Sequence, residues 1–241
     1  MNRAKSQRRF VFACLAPAVI LVALFMFWPT VNVFRMSLYR MGGITNRKEF
    51  IGLQNFKTLM EDKNFLEAMQ NTILIIVMVM IFTIVFAILF AAILQRGKFK
   101  GKNFFRVIFY IPNILSIVVI GGIFGAIYDP SNGLLNTFLE AVHLDFLTHK
   151  WMGEPKIVIY SIIFALVWQA IGYYMVMYMS GMSAIPEDLY EAASLDGSSE
   201  INTFFTVTLP LIWTNIRTTL TFYIISTINL SFLFVQIMTD G

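Results

Sequence analysis

The sequence predicts an all-α polytopic membrane protein that crosses the bilayer five times. Hydrophobic residues make up 58% of the 241 residues and charged residues only 13%, and the mean hydropathy is +0.71. Five long stretches contain no Asp, Glu, Lys or Arg, and each supplies the roughly 20 apolar residues that a bilayer-crossing helix needs. The spans are expected near residues 10–29, 71–94, 106–127, 157–179 and 216–238.

The first span follows a basic tail at residues 1–9, and this region has two interpretations. Positive charge before an apolar run is typical of a secretory signal peptide. However, residues 25–29 offer no small-residue cleavage site, and the run is long. We therefore expect a first helix that remains anchored in the membrane, with the tail as a separate short segment in front of it.

The basic residues predict the orientation of the chain. Nine of the 18 Lys and Arg residues lie in the N-terminal tail and at the connection between the second and third spans. Both places are on one side if five spans alternate, and loops rich in Lys and Arg face the cytoplasm. The N-terminus is therefore expected in the cytoplasm, with the connections at 35–70 and 129–156 outside.

The third span carries Pro112, which a membrane helix tolerates when neighbouring groups satisfy the freed carbonyl. The fourth and fifth spans carry polar and aromatic groups, which have two interpretations. They could bind a sugar, whose hydroxyls need hydrogen bonds and whose C–H faces stack on rings, or they could join helices by hydrogen bonds. These residues are Trp168, Gln169, Gly172, Tyr173 and Tyr174, followed by Tyr223, Ser226, Thr227, Asn229 and Ser231.

An acidic loop at residues 186–212 connects the fourth and fifth spans. Pro186 and the acids after it are typical of a helix start, because acids are favoured at the positive end of the helix dipole. A short amphipathic helix is expected up to Leu195. Gly197 permits a turn that a side chain would oppose, a second short helix could run from Ser199 to about Thr206, and Pro210 ends it.

Several kinds of site are missing from the sequence. It has no phosphate-binding G-x-x-x-x-G-K loop, no Cys/His cluster with metal spacing and no G-x-S-x-G elbow. No Asp, Glu, Lys or Arg lies in the middle of a span, as a proton relay would require. We therefore predict no catalytic residue, no metal site and no nucleic-acid partner, and expect any energy for transport to come from another subunit.

The acidic loop resembles a known motif. Glu191-Ala192-Ala193, with Asp196-Gly197 and Leu209-Pro210, is similar to the EAA motif of permeases of binding-protein-dependent ABC importers. Shorter patterns resemble the carbohydrate branch of this family, the maltose-type and glycerol-phosphate-type permeases. They are Gly52-Leu53-Gln54-Asn55-Phe56, Asn71-Thr72, Phe105-Arg106, Pro112, Asp129-Pro130 and Ala184-Ile185-Pro186.

The resemblance implies a type I importer transmembrane domain over residues 10–241, in a bacterial or archaeal plasma membrane. In this family the EAA loop docks on a cytoplasmic ATPase, so the expected coupling residues are Glu191, Ala192, Ala193, Asp196 and Gly197. The implied partners are two ATPase subunits, a second, similar but different permease and an extracytoplasmic solute-binding protein, around a chain in the lipid bilayer. ATP and Mg²⁺ would be bound by the ATPase, and this chain would need no cofactor.

The resemblance also implies a solute and a place for it. The solute would be a sugar or oligosaccharide, with a non-sugar solute (glycerol phosphate, phosphate, an amino acid or a peptide) as the alternative. In maltose-type permeases the sugar lies against the helices that flank the EAA loop. The implied path residues are Gln169, Gly172, Tyr173, Tyr223, Thr227, Asn229 and Ser231. The family pattern continues into a sixth span, which is expected after Gly241.

Overall fold

The structure, a computed structural model, describes residues 2–41, 48–96 and 101–239. The side chains of residues 2–6, 96, 228 and 229 lie outside this description, as does the sixth span expected after Gly241. The chain divides into two units, Met1–Met69 and Gln70–Gly241.

The first unit combines a long apolar helix with a small polar subdomain. Its elements are α1 (Asn2–Val22), a π-helical turn (Ala23–Phe27), α2 (Trp28–Ser37), strands β1 (Tyr39–Met41) and β2 (Lys48–Phe50), and α3 (Gln54–Glu61). The strands pair antiparallel with Tyr39 opposite Phe50. The amide of Asn55 donates to the carbonyl oxygens of Ser37 and Tyr39, at 2.8 and 3.1 Å, and so ties α3 to the end of α2 and to β1.

The second unit is a bundle built around one central helix. Its elements are the greater part of α4 (Lys63–Arg96), then α5 (Lys102–Ile114), α6 (Ile117–Ile127), α7 (Leu134–Ala141), a 3₁₀ turn (Asp145–Leu147), α8 (Val158–Ser183), α9 (Glu187–Leu195), α10 (Glu200–Thr203), a second π-helical turn (Phe204–Thr208), α11 (Leu209–Leu211) and α12 (Trp213–Thr239). Helix α8 is the most buried of them and packs against α5, α6 and α12. Buried side chains occur all around α8, as expected for a helix enclosed by neighbours.

Proline explains both π-helical turns. Each turn contains the residue four positions before a proline, Phe25 before Pro29 and Thr206 before Pro210. A proline has no N–H to donate to that residue, and its ring would collide with the carbonyl there. The wider turn relieves this collision, which allows the helix to continue through the proline.

The predicted third span, near 106–127, has a different form in the structure. It consists of two helices, α5 and α6, and the helix axis bends by 103° between them. Leu115 and Ser116 at the junction have extended backbones. The hydroxyl of Ser116 accepts a hydrogen bond from the N–H of Val119, at 3.4 Å, and so caps the first turn of α6. Pro112 alone predicts only a kink, whereas the cap allows a new helix to begin in a new direction.

Three helical stretches are long and apolar enough to cross a bilayer, and counting each bent helix pair as one span brings the number to as many as five. The three are Gln7–Ser37, Lys63–Gln95 and Val158–Ser183. The bent pairs are α5 with α6, and Trp213–Thr227 with Leu230–Thr239. This assessment covers the described ranges and uses length and composition alone.

Candidate functional site: a membrane cavity and the hairpin beneath its walls

The loop at 186–212 is a helical hairpin whose first arm is α9. Pro186 precedes α9 with an extended backbone, so its missing N–H costs no helical hydrogen bond. Glu187 and Asp188 occupy the first turn, where negative charge is favoured by the helix dipole. These are the features that predict a helix start in the sequence.

The turn of the hairpin depends on Gly197. Its φ is +74°, in the left-handed region that most residues avoid. The N–H of Ser198 donates to the carbonyl of Ala193, at 2.9 Å, and the N–H of Gly197 donates to that of Ser194, at 3.1 Å. This pair of bonds is the Schellman motif, which satisfies the last carbonyls of a helix and reverses the chain.

The second arm is tied back to the first. Ser199 caps α10 by accepting from the N–H of Asn202, at 3.3 Å. The hydroxyls of Tyr190, on α9, and Thr208, on the second arm, lie 3.1 Å apart and are hydrogen-bonded. Thr208 is fully buried. The hairpin therefore has an internal connection as well as a fixed turn.

The predicted coupling residues lie mostly on the surface of this hairpin. Glu191, Ala192, Asp196 and Gly197 are exposed, and Ala193 is half-buried. The hairpin also exposes apolar side chains that the sequence analysis did not select, and the three most exposed are Leu195 at 89%, Ile201 at 74% and Phe205 at 60%. Apolar surface of this kind is typical of a site of protein contact.

A cavity of about 500 Å³ lies between α8 and α12, the two helices that the hairpin connects, with one residue of α5 in its wall. Each of the two long helices contributes six residues. The polar members of the lining are Asn113, Gln169, Tyr173, Tyr174, Tyr223, Ser226 and Thr227. Mixed apolar and polar walls of this size are typical of small-molecule sites in proteins.

The cavity brings together four of the seven predicted path residues: Gln169, Tyr173, Tyr223 and Thr227. Ser231 is buried but does not belong to the lining, and the side chain of Asn229 lies outside the described residues. Gly172 is buried in the contact between α8 and α5, where an added Cβ would overlap the carbonyl oxygen of Phe109. In the structure Gly172 is therefore a packing position and lies outside the cavity wall.

Asn113 is the one polar residue of the described cavity lining that the sequence analysis did not name. It follows Pro112 near the end of α5, and the proline drew attention to the helix kink instead of to the amide. Tyr174 and Ser226 were noted as polar groups of their spans without being selected. Helical spacing provides a signal for Ser226, because it lies three residues after Tyr223 and so on the same face of α12.

Three tyrosine rings form an aromatic group at the cavity. The rings of Tyr173 and Tyr174 meet edge to face with centroids 5.2 Å apart, and those of Tyr174 and Tyr223 are tilted at 5.0 Å. The hydroxyl of Tyr223 also lies 3.3 Å from that of Thr83 on α4. Aromatic pairs at these distances attract each other, so the contact between Tyr174 and Tyr223 joins α8 to α12 at the cavity wall.

A family model described as "Binding-protein-dependent transport system inner membrane component" matches residues 84–241. A probable ABC transporter permease protein of Bacillus subtilis, YurN, is 36% identical over 197 residues, covering 81% of this chain and 67% of its own length. The diacetylchitobiose uptake system permease protein NgcF of Streptomyces coelicolor is 29% identical, covering 96% of this chain and 68% of its own. The sn-glycerol-3-phosphate permease protein UgpA of Escherichia coli is 27% identical, with coverage of 83% and 67%.

A solved structure shows the same fold. A bacterial ABC transporter involved in the import of the acidic polysaccharide alginate contains a chain that matches with a TM-score of 0.83 and 24% identity, covering 99% of this chain and 81% of that one. The predicted class, an all-α polytopic membrane protein with the type I importer fold, is thereby confirmed. The family model covers the cavity and the whole hairpin, and the chain belongs to the family of inner-membrane components of binding-protein-dependent transport systems.

Proposed function

We propose that this chain is the permease subunit of an ATP-driven ABC importer and that it forms part of a path for a sugar or oligosaccharide. The observation that supports the proposal is the way in which the chain connects the hairpin to the walls of the cavity. The hairpin at 186–212 joins the end of α8 to the start of α12, and these are the two helices that form the cavity walls. A force applied to the hairpin therefore reaches both walls directly.

The hairpin is the proposed contact with a cytoplasmic ATPase. Glu191 offers an exposed charge, Ala192 and Ala193 leave room for close approach, and Asp196 and Gly197 form the exposed turn. The three most exposed apolar residues of the hairpin, Leu195, Ile201 and Phe205, would be covered by the same partner. ATP and Mg²⁺ would be bound by two ATPase subunits, while this chain itself would catalyse no reaction.

Two further partners are proposed, a second permease and a solute-binding protein. Tyr173, Phe222 and Ile225 line the cavity and remain exposed, which leaves a face for a second, similar permease to cover. A solute-binding protein would deliver the solute from outside. The basic N-terminal tail would lie in the cytoplasm, because segments rich in Lys and Arg face that side.

A binding experiment tests the coupling role. The permease is co-expressed with a candidate ABC ATPase from its source organism, and the complex is isolated through a tag on the permease. Ala192→Phe puts a large ring on an exposed position and should abolish capture of the ATPase without loss of membrane insertion. Ser194→Phe is the matched control, because Ser194 is also exposed but lies about 200° around α9 from Ala192. Equal capture by both variants would contradict the proposal.

Transport distinguishes the sugar from the alternative. ATP-dependent uptake is measured in proteoliposomes that contain the full complex, with its binding protein, against a panel of sugars, glycerol phosphate, phosphate, amino acids and peptides. The proposal expects uptake of a sugar. Uptake of an amino acid or peptide alone would keep the chain an importer permease and overturn the solute class.

A further inference from the structure

We propose that the cavity accepts uncharged sugars and rejects anionic ones, and that Asn113 is a specificity-determining residue in its wall. This inference rests on the proposed function and narrows its solute class. Membership of the family does not by itself decide whether the solute is charged. Among the relatives and solved structures, one is named for diacetylchitobiose, one for sn-glycerol-3-phosphate and one for an acidic polysaccharide.

The first argument is the absence of charge in the wall. None of the thirteen described residues that line the cavity is Asp, Glu, Lys, Arg or His. The preceding basic residues on the wall helices, Arg106 and Arg217, come seven positions before Asn113 and five before Phe222. At 1.5 Å per residue they lie roughly 10 Å and 8 Å away along the helix axes.

An anion in such a cavity would be poorly stabilised. A carboxylate or phosphate that enters must give up water, and the cost is large unless a cation or several donors replace that water. Proteins that recognise these groups use the paired donors of Arg or the charge of Lys. The described wall supplies neither, so this chain favours a solute without charge.

The second argument is that two amides are available to a solute. Among the described residues, no hydrogen bond engages the side-chain amide of Asn113 or of Gln169. Nor is either amide a sealed, unsatisfied group, because the described side chains include no buried polar atom that lacks a partner. Both side chains therefore keep some accessible polar surface, and both residues line the cavity.

An amide is well suited to a sugar hydroxyl. Each carries one acceptor oxygen and two N–H donors, and a hydroxyl both donates and accepts. Ser226 and Thr227 add hydroxyl groups at the same wall. The rings of Tyr173 and Tyr174 provide apolar surface for the C–H faces of a sugar. A site built to bond hydroxyls in this way also rejects solutes that leave its polar groups unpaired.

Asn113 occupies a different wall from the other polar groups. It is contributed by α5, whereas Gln169 belongs to α8 and Ser226 to α12. A solute bonded to Asn113 and Gln169 would therefore contact two helices at once. The position of Asn113, three residues before the break at Ser116, fixes it at the end of α5 where the wall turns away.

The solute panel tests the charge selectivity in the complete complex. Proteoliposomes with both permeases, the ATPase and the binding protein are given neutral disaccharides, sn-glycerol-3-phosphate and an alginate disaccharide. We expect ATP-dependent uptake of a neutral sugar and only background uptake of both anions. Uptake of an anion would overturn the inference while leaving the importer function standing. The absence of ATP-dependent uptake of any solute would overturn both.

Charge-changing variants test Asn113 itself. Asn113→Asp keeps the size of the side chain but removes its donors, and we expect KM for the neutral sugar to rise by about tenfold or more, with kcat changed much less. Asn103→Asp is the matched control on the same helix, because Asn103 is exposed and outside the cavity. It should leave both constants unchanged.

A second variant and two stability measurements distinguish a change in solute binding from a folding defect. Gln169→Glu makes the same change on α8, and complex yield and melting temperature are compared with the parent for both variants. If both variants fold and KM stays at the parent value, the specificity role is overturned. A fall in kcat with unchanged KM would indicate that the two amides act in the movement of the helices and not in solute binding. That result would also overturn the specificity role.

Discussion

Gly172 on α8 lies so close to the carbonyl oxygen of Phe109 on α5 that a Cβ at residue 172 would overlap that oxygen. The two helix backbones are in direct contact at this point. Close approach through a small residue is a principal source of packing between membrane helices, where no hydrophobic force drives association. The α5–α8 contact holds the end of α5 that carries Asn113 against the central helix.

Gly172→Ala should therefore destabilise the protein. The backbone of α5 must shift to admit the methyl group, and overpacking of this kind costs about 1–3 kcal/mol. We expect a lower melting temperature of the purified permease. Gly122→Ala on α6 is the control, because a Cβ there meets nothing within 4 Å and should be tolerated. An unchanged melting temperature for Gly172→Ala would contradict the packing role.

The hydrogen bond between Tyr178 on α8 and Thr219 on α12 should give unequal effects when each side is removed. The two hydroxyl oxygens lie 2.6 Å apart, and both residues are buried. Thr219 donates its own proton to the carbonyl of Ile216, at 2.8 Å, so Tyr178 is the donor to Thr219. Thr219→Val leaves a buried hydroxyl without an acceptor and should cost about 1–3 kcal/mol.

Tyr178→Phe should cost less, about 1 kcal/mol, because Thr219 keeps its bond to the backbone. The double variant should be close to Tyr178→Phe alone, since neither partner then remains unpaired. Thermal unfolding of the three variants measures these differences. Equal and additive losses would show that the hydrogen bond does not couple the two residues.

The turn of the hairpin should depend on backbone conformation at Gly197 and little on side-chain volume. A Cβ there meets nothing within 4 Å, but φ is +74°. Asn tolerates this region better than other side chains, whereas a β-branched residue does not. ATPase capture and uptake should fall in the order Gly, Asn, Ala, Val, with a cost of about 1–2 kcal/mol for Ala. An Asn variant as poor as Val would indicate contact with the side chain instead.

The orientation of the chain can be tested with single cysteines. Cys14 is the only native cysteine, so a Cys14→Ser background gives no label of its own. Phe138→Cys on α7 and Ser194→Cys on the hairpin introduce exposed positions. A membrane-impermeant maleimide should label residue 138 in intact cells and residue 194 only after permeabilisation. Labelling of both in intact cells would contradict the predicted topology.

The turn at Asp129 should make stability depend on acid pH. The backbone N–H groups of Asn132 and Ser131 donate to its carboxylate, at 2.8 and 2.9 Å, and hold its pKa below the ordinary value. Because the folded-state pKa is lower than the unfolded one, the carboxylate stabilises the fold above the unfolded pKa, about 3.9. This contribution is lost as pH falls through the lower, folded-state pKa.

Asp129→Ala is the variant that isolates this effect. The melting temperature of the parent should exceed that of the variant at pH 6–8, and the difference should shrink below about pH 4. Glu140→Ala, at another exposed acid, on α7, is the comparison, because no backbone N–H pair holds its carboxylate among the described hydrogen bonds. A difference for Asp129→Ala that stays constant down to pH 3 would contradict the assignment.

The features that the sequence could predict depend mainly on single residues and on their immediate neighbours in the chain. Pro186, Gly197 and Pro210 each restrict the backbone in one way, so the hairpin could be expected from single residues. The fold class followed from long runs without charge and is confirmed by the comparison with the alginate importer. The roles of the hairpin residues stay predictions.

Contacts between distant helices account for most of what the sequence could not predict. Gly172 and Gln169 look equally available on one helix, and only the position of α5 separates a packing residue from a cavity residue. Asn113 enters the wall because α5 ends beside α8. The 103° break depends on Ser116 as a cap, and a serine in an apolar run carries no such signal by itself.

The break between α5 and α6 has a mechanical consequence. Since Ser116 satisfies the first turn of α6, the two helices are separate rods joined by a short extended link. Rotation about that link would let α6 swing while Asn113 keeps its place against α8. A transporter with such a hinge can open one end of its transport pathway while the bound solute keeps its contacts at the other end.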